Sequence, residues 1–280
     1  MAIAVLLVVS VAGCGGTQRA PVSGATTPVQ IANGPTRDNS TTIGPTGLAR
    51  VHPTKPGPVP MLMYHVIGHR PASAPYPDLW VSPQRFAQQM HALRGAGYHA
   101  VTLDAVLANW RTGAPLPSHP IVLTFDDGYA GQSRYAAPVL RKLGWPAVLN
   151  LTVNHIGRDG ISAARVRGLI ADGWEIDSHT LTHPDLTRLG PDELRREVAG
   201  SRAVIRRRFG VPANAFCYPA GRYDPAVVQA VRAAGYRAAT TVDPGYAVPG
   251  RDQRFVLARI RVNGDETAAA LLDSIAAARR

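Results

Sequence analysis

From Val59 onward the chain switches repeatedly between two hydrophobic periods. Short apolar runs of strand length recur at 59–65, 99–103, 121–125, 147–153, 173–177, 215–218, 236–242 and 255–262. Amphipathic stretches with helical spacing lie between them. Ser82-Pro83 starts one, and Phe86, Met90 and Leu93 share its face until Gly95-Ala96-Gly97. Serine is a good cap, and proline fits the first helical position. Further helices are predicted at 104–110 behind Asp104, 135–143 ending at Gly144, 162–171, 192–209, 225–234 and after Asp265. Strands alternating with helices of this length make βα units and a parallel sheet. About seven units in roughly 220 residues predict an α/β fold, a distorted (β/α) barrel. A doubly wound open sheet is the alternative.

The first 58 residues follow neither period. Ala2 to Val11 is an apolar run the length of a signal-peptide core, too short to span a bilayer. It ends in Val11-Ala12-Gly13-Cys14, which resembles the lipobox of bacterial lipoproteins. That resemblance implies cleavage before Cys14, a diacylglycerol on its sulfur, a membrane partner and an extracytoplasmic location at the bacterial membrane or wall. No Lys or Arg precedes Cys14, so the usual charged lead is missing. Residues 15–58 are rich in Gly, Pro, Thr, Ser and Asn and bury too little to offset their ordering entropy. The expected organisation is a signal segment at 1–14, a flexible tether at 15–58 and one domain at 59–280.

Charge changes this picture little. The formal net charge is +11, from 30 Lys and Arg against 19 Asp and Glu, and that excess suits an acidic partner. The arginines are scattered apart from Arg206-Arg207-Arg208, and no nucleic-acid motif is present. No Gly-x-Gly-x-x-Gly follows a strand, and there is no Gly-Lys-Ser/Thr loop, so nucleotide binding has no support. There are two cysteines; with Cys14 lipidated, Cys217 has no disulfide partner.

The chemistry gathers at strand ends. Ile121 to Phe125 runs into Asp126-Asp127-Gly128. Two adjacent carboxylates in a partly dry site need a cation or a shared proton; a solvated turn is the bland reading. Residues 173–177 lead into Ser178-His179-Thr180-Leu181-Thr182-His183-Pro184. In one helical turn His179 and His183 would face the same side. Two imidazoles and a carboxylate form a ligand set found in catalytic metal sites with an open position.

Thr124-Phe125-Asp126-Asp127-Gly128-Tyr129 and Ser178 to Pro184 resemble the first two motifs of the polysaccharide deacetylases, carbohydrate esterase family 4. Phe216-Cys217-Tyr218-Pro219-Ala220-Gly221 stands where the third belongs. The resemblance covers roughly 59–262. It implies that Asp127, His179 and His183 bind one divalent metal, usually zinc, with cobalt or nickel also suited. It implies Asp126 as the general base and an N-acetylated glycan, an N-acetylglucosamine polymer or peptidoglycan, as substrate. The third motif departs from the family pattern. Family members carry an Arg that orients the base and a Tyr whose backbone N–H faces the oxyanion; Cys217 and Ala220 hold those positions here. Ala220 is expected to supply the oxyanion N–H, beside Tyr218 as a substrate-binding residue.

The family's leaving-group acid is a His on the last strand, where this chain reads Leu257-Ala258-Arg259-Ile260-Arg261-Val262. Pro60 to His65 instead resembles the lead strand of the circularly permuted poly-N-acetylglucosamine deacetylases, which implies His65 as the acid. Asp243, as a partner for a histidine or for Arg259, and Asp177 are candidate orienting carboxylates. Trp80, Trp145 and Tyr129 are candidates for stacking on sugar rings, with Trp145 read as core. The alternative function is a non-catalytic, lipid-anchored carbohydrate-binding protein on the same scaffold, left open by the missing Arg. Hydrolysis of a small non-sugar amide is a third reading.

Overall fold

The computed structural model describes residues 55–157 and 160–279. Cys14 and nearly all of the expected signal and tether segments lie outside the described residues. Ten strands form: β1 (Met61–Tyr64), β2 (Val66–Ile67), β3 (Trp80–Val81), β4 (His99–Val101), β5 (Pro120–Asp127), β6 (Val148–Leu151), β7 (Glu175–Ser178), β8 (Ala215–Cys217), β9 (Ala238–Thr240) and β10 (Ile260–Arg261). Eight helices accompany them: α1 (Pro83–Gly95), α2 (Leu103–Thr112), α3 (Ala137–Leu143), α4 (Ala163–Ala171), α5 (Pro191–Arg195), α6 (Ser201–Phe209), α7 (Pro225–Ala233) and α8 (Ala268–Ala278). No described helix is long and apolar enough to cross a membrane.

Seven strands make one curled parallel sheet in the order β10-β1-β5-β6-β7-β8-β9, and β4 pairs with the early half of β5. Its two ends meet at a single parallel bridge from Thr240 to Leu257, just ahead of β10. The distorted seven-stranded barrel read from the sequence is the fold. β2 and β3 form a separate parallel pair beyond His65.

Alternation along the strands sorts the core. Leu62, Leu123, Phe125, Leu149 and Ile176 pack outward against Phe86, Met90, Leu140, Leu169 and Leu271 of the surrounding helices. Met61, Val122, Val148, Ala215 and Ala238 lie on the other face with Leu103 and Val106 of α2. On that face β5 continues from Val122 through Thr124 to Asp126. The interior is therefore apolar at the amino ends of the strands and polar at their carboxyl ends. A one-residue slip of β5 would exchange Asp126 for Phe125.

Local chemistry shifted several boundaries. Ser82 caps α1 as expected, accepting from Arg85 N–H. The α2 cap is Thr102 rather than Asp104, since Thr102 Oγ1 accepts from Ala105 N–H. The α8 cap is Thr267 rather than Asp265, by the same bond to Ala270 N–H. The expected helix 192–209 is α5 and α6 joined through a wide π-type turn at Arg196–Gly200.

Candidate active site

β5 ends in an unusual turn. Gly128 N–H bonds back to Asp126 C=O at 3.0 Å, and Asp127 between them has φ 75°. This is the rare γ-turn with positive φ, a conformation that costs energy in a non-glycine residue. It breaks the strand's alternation at Asp127. The two neighbouring carboxylates thereby take separate surroundings.

Asp126 is 2% exposed and fully held. Arg259 grips it with both forks, Nη1 to Oδ1 and Nη2 to Oδ2, each 2.8 Å. Asn150 Nδ2 donates to Oδ1 at 2.7 Å, and the Cys217 thiol lies 3.7 Å from Oδ2. Burial opposes the charge, yet Arg259, then His65, outweigh it and hold the Asp126 carboxyl far below the usual carboxylate range. Arg259 is itself completely buried, with Nε donating to Thr241 C=O and Nη1 to Thr124 Oγ1. Its Nη2 also reaches Cys217 Sγ at 3.2 Å. The orienting Arg missing from the third motif thus arrives from the barrel-closing segment and lies against the cysteine that stands in its place. That removes the ground for a non-catalytic reading.

The Asp243 carboxylate accepts from Tyr223 Oη, and only its backbone carbonyl meets Arg259, through the N–H. Asp177 accepts from Ala215 N–H inside the sheet. Neither carboxylate orients Asp126.

Asp127, His179 and His183 converge. Nε2 of His179 and of His183 lie 3.5 and 3.6 Å from Asp127 Oδ1. The histidines sit on a loop rather than a helical turn. Thr180 and His183 at φ 71° and 63° bend it, and the rings meet edge to face at 4.7 Å. Glu197 fastens the loop by accepting from the N–H groups of Leu181 and Thr182. Cys217 C=O lies 2.8 Å from His179 Nδ1. A carbonyl only accepts, so Nδ1 carries the proton and Nε2 is turned toward Asp127.

Three observations fit this triad to a divalent cation. Asp127 Oδ1 is buried with no hydrogen-bond partner among the described residues. The separations approach the ~3.0–3.4 Å between ligands of an ion bonded at about 2.0–2.1 Å. Burial lowers His179, but Cys217, then Asp126 and Asp127, pull it up to about 10; the pocket favours one positive charge at that point. Asp126, His179 and Cys217 also lie close enough to share an ion. Arg259 and Asn150 already occupy the Asp126 oxygens, so the first group is the better fit.

His65 follows β1, with Nε2 3.8 Å from Asp126 Oδ2. Burial lowers its pKa, partly offset by Asp126 and Asp127. Buried Gln132 ties the two elements together, its Nε2 donating to both His65 C=O and Asp126 C=O at 2.8 and 2.6 Å. Ala220 is exposed and left-handed at φ 52° in the turn after β8. Tyr218 does not offer a group to the site, contrary to expectation. It is completely buried; its hydroxyl donates to Phe255 C=O and its N–H to Thr240 C=O. Trp145 is core, and Trp80 lies half-buried in β3. Tyr129 is half-buried beside Asp127, and its ring is 6.1 Å from that of His155. Gln132 and Asn150 escaped sequence reasoning, and Arg259 was weighed only as a partner for Asp243. Two arginines inside the apolar run 255–262, Arg259 and Arg261, were the one signal available.

A parallel barrel that sets a pinned Asp beside an Asp-His-His cluster at its carboxyl end belongs to the deacetylase class of hydrolases. The family model for polysaccharide deacetylase matches residues 113–239. YxkH of Bacillus subtilis, itself named for that family, is 33% identical over 213 residues, covering 75% of this chain and 73% of that protein. The chain belongs to the polysaccharide deacetylase family. The Streptococcus pyogenes deacetylase PplD, solved in complex with acetate, superposes with a TM-score of 0.73 at 25% identity, covering 79% of this chain and 99% of that one. The Escherichia coli poly-β-1,6-N-acetyl-D-glucosamine N-deacetylase is 41% identical over 61 residues, 22% of this chain and 9% of that protein.

Proposed function

We propose that this deacetylase removes N-acetyl groups from an extracytoplasmic glycan, an N-acetylglucosamine polymer or peptidoglycan, using a divalent cation held by Asp127, His179 and His183. The observation that carries the reading is the division of labour between adjacent carboxylates. Asp126 has its charge fixed by Arg259, and Asp127 leaves a buried oxygen bare between two imidazoles. Zinc is the first choice, and cobalt or nickel suit the same donors. When bound, such a cation is a Lewis acid that brings the pKa of water toward neutrality and polarises a carbonyl.

The chain's own residues supply the proton traffic. Asp126 Oδ2 lies 3.8 Å from His65 Nε2, so the two groups flank one reaction space and a proton can pass between them. Asp126 takes a proton from the attacking water, and Arg259 and Asn150 aim the carboxylate. His65 takes up the proton that Asp126 removed from the water and gives it from Nε2 to the amine nitrogen as the C–N bond breaks, releasing acetate and a free amino sugar. The Ala220 N–H serves as the donor to the developing oxyanion. The similarity to the glucosamine-polymer enzyme supports the glycan assignment. The apolar run before Cys14 supports an anchor outside the cytoplasm, which a shift of Cys14→Ser protein from the membrane to the soluble fraction would test.

The test of the reaction is acetate release from N-acetylglucosamine oligomers and from peptidoglycan by metal-stripped protein reloaded with zinc, cobalt or nickel. Release should vanish on stripping and return on reloading. No release from any acetylated glycan by the reloaded enzyme would sink the proposal.

A further inference from the structure

A second concave feature lies at the opposite end of the barrel. Arg237 immediately precedes β9, and Asp104 accepts from Asn214 Nδ2, just ahead of β8. Both therefore sit at the amino ends of strands, whereas Asp126 and Asp127 end β5. Here a cavity of about 550 Å³ is lined by Trp110, Arg111, Arg237, Arg251, Arg254 and Asp104, among others. Among the described residues none of the four arginines has a carboxylate within 4.0 Å and none of their guanidinium groups donates a hydrogen bond, although Arg254 lies over the Phe255 ring at 5.1 Å. Elsewhere Arg141, Arg222 and Arg259 each reach an acid at 2.8 Å or less. Four like charges around one hollow repel one another, and an anion shared among them relieves that repulsion.

The shape narrows the ligand. A volume of this order holds a small organic molecule rather than a bare oxyanion. A carboxylate pairs with one guanidinium fork, whereas a phosphomonoester carries nearly two charges and three acceptor oxygens for several. Trp110 offers an apolar wall for a sugar face, and its Nε1 is already occupied by Gly57 C=O at 2.9 Å. One Asp104 oxygen is held by Asn214, and the other can accept from a sugar hydroxyl. A flat anionic membrane would meet a convex basic surface instead of filling a hollow. We propose that this cavity is a second binding site, separate from the deacetylase centre, and that it takes a phosphate-bearing saccharide.

The experiment is calorimetric titration of the full chain with glucose 6-phosphate at physiological salt, alongside glucose and inorganic phosphate. Glucose 6-phosphate should bind, inorganic phosphate more weakly, and glucose not at all. In Arg237→Gln/Arg254→Gln the affinity should fall about tenfold or more, the loss of charge-assisted hydrogen bonds. The melting temperature should be unchanged, because both side chains are exposed. If that variant fails to fold, Arg111→Gln/Arg251→Gln makes the same test. Equal affinity for inorganic phosphate, or unchanged binding in a folded variant, would overturn the proposal. So would capture by phosphatidylglycerol vesicles through these arginines without affinity for the sugar phosphate. The readout is independent of acetate release, so failure here leaves the deacetylase reading standing, and the reverse.

Discussion

The pair formed by Asp126 and Arg259 is buried on both sides, and removing one partner strands the other. Arg259→Met should cost about 3–5 kcal/mol of stability, the usual penalty for an uncompensated buried charge. Arg259→Lys keeps the charge but loses the fork, so it should recover part of the stability and less of the turnover. Thermal unfolding and kcat measured on both variants separate these effects. The adjacent carboxylates make a second contrast. Asp126→Asn should lower kcat by about 10²–10⁴-fold and leave zinc affinity near the parent value. Asp127→Asn tolerates the same positive φ but should weaken zinc binding sharply. If Asp126→Asn is the one that loses zinc, the two roles are exchanged. The motif residues were legible because spacing and type carry their chemistry. Arg259 was not, because its partner is 133 positions away and hydrophobic patterning marks only that a strand passes there.

At the scale of elements, the active site is assembled from turns more than from regular structure. The γ-turn at Asp127 and the bend at 180–183 rely on residues with positive φ that are not glycine. Sequence propensity reads such positions poorly, so the spacing of the histidines suggested a shared face without showing the bend that creates it. Helix starts were legible to within a few residues. The errors at Asp104 and Asp265 arose because a threonine two positions away on either side offered a competing cap. Gly131 shows how closely these parts fit. A Cβ there would lie 1.9 Å from Ile67 C=O in β2. Gly131→Ala should therefore cost about 1–3 kcal/mol and displace Gln132, which ties His65 to Asp126. The expected result is a lower melting temperature together with a lower kcat. A variant with unchanged kcat would show that the Gln132 tie does not matter.

The whole barrel carries a charge-burial problem in its interior, below the catalytic layer. Asp177 is completely buried, and Glu175 is its neighbour along β7. Burial pushes the Glu175 carboxyl well up, helped by Asp177; burial also lifts Asp177 to about 6. Asp104 faces the pair from α2 through its N–H, which donates to Glu175 Oε2 at 2.9 Å. Burial of the two carboxyls so close together favours holding a proton that the unfolded chain releases near its ordinary carboxylate range, around pH 4. Between that range and about pH 6 the folded state binds more protons than the unfolded one. Stability from this pair is therefore present at low pH and lost as pH rises through the folded values. Glu175→Gln puts an amide N–H where the proton sits. Melting curves at pH 5 and pH 8 should show the parent losing more stability than the variant; equal losses would mean that the pair shares no proton. The barrel itself was legible in the alternation of the two periods. Its order, with β1 between β5 and β10, was not legible, because periodicity does not say which strands are neighbours.

Closure of the sheet also has a bearing on biosynthesis. The chain leaves the ribosome amino end first, so β1 and β5 through β9 are available before the stretch from Leu257 to Arg261 appears. Until then β1 has an unpaired edge, and Asp126 has no guanidinium beside it. The last strand to emerge both seals the barrel and charges the base. A chain cut ahead of Leu257 would carry every motif residue and still leave the base without its guanidinium, so sealing the barrel and arming the site are one event.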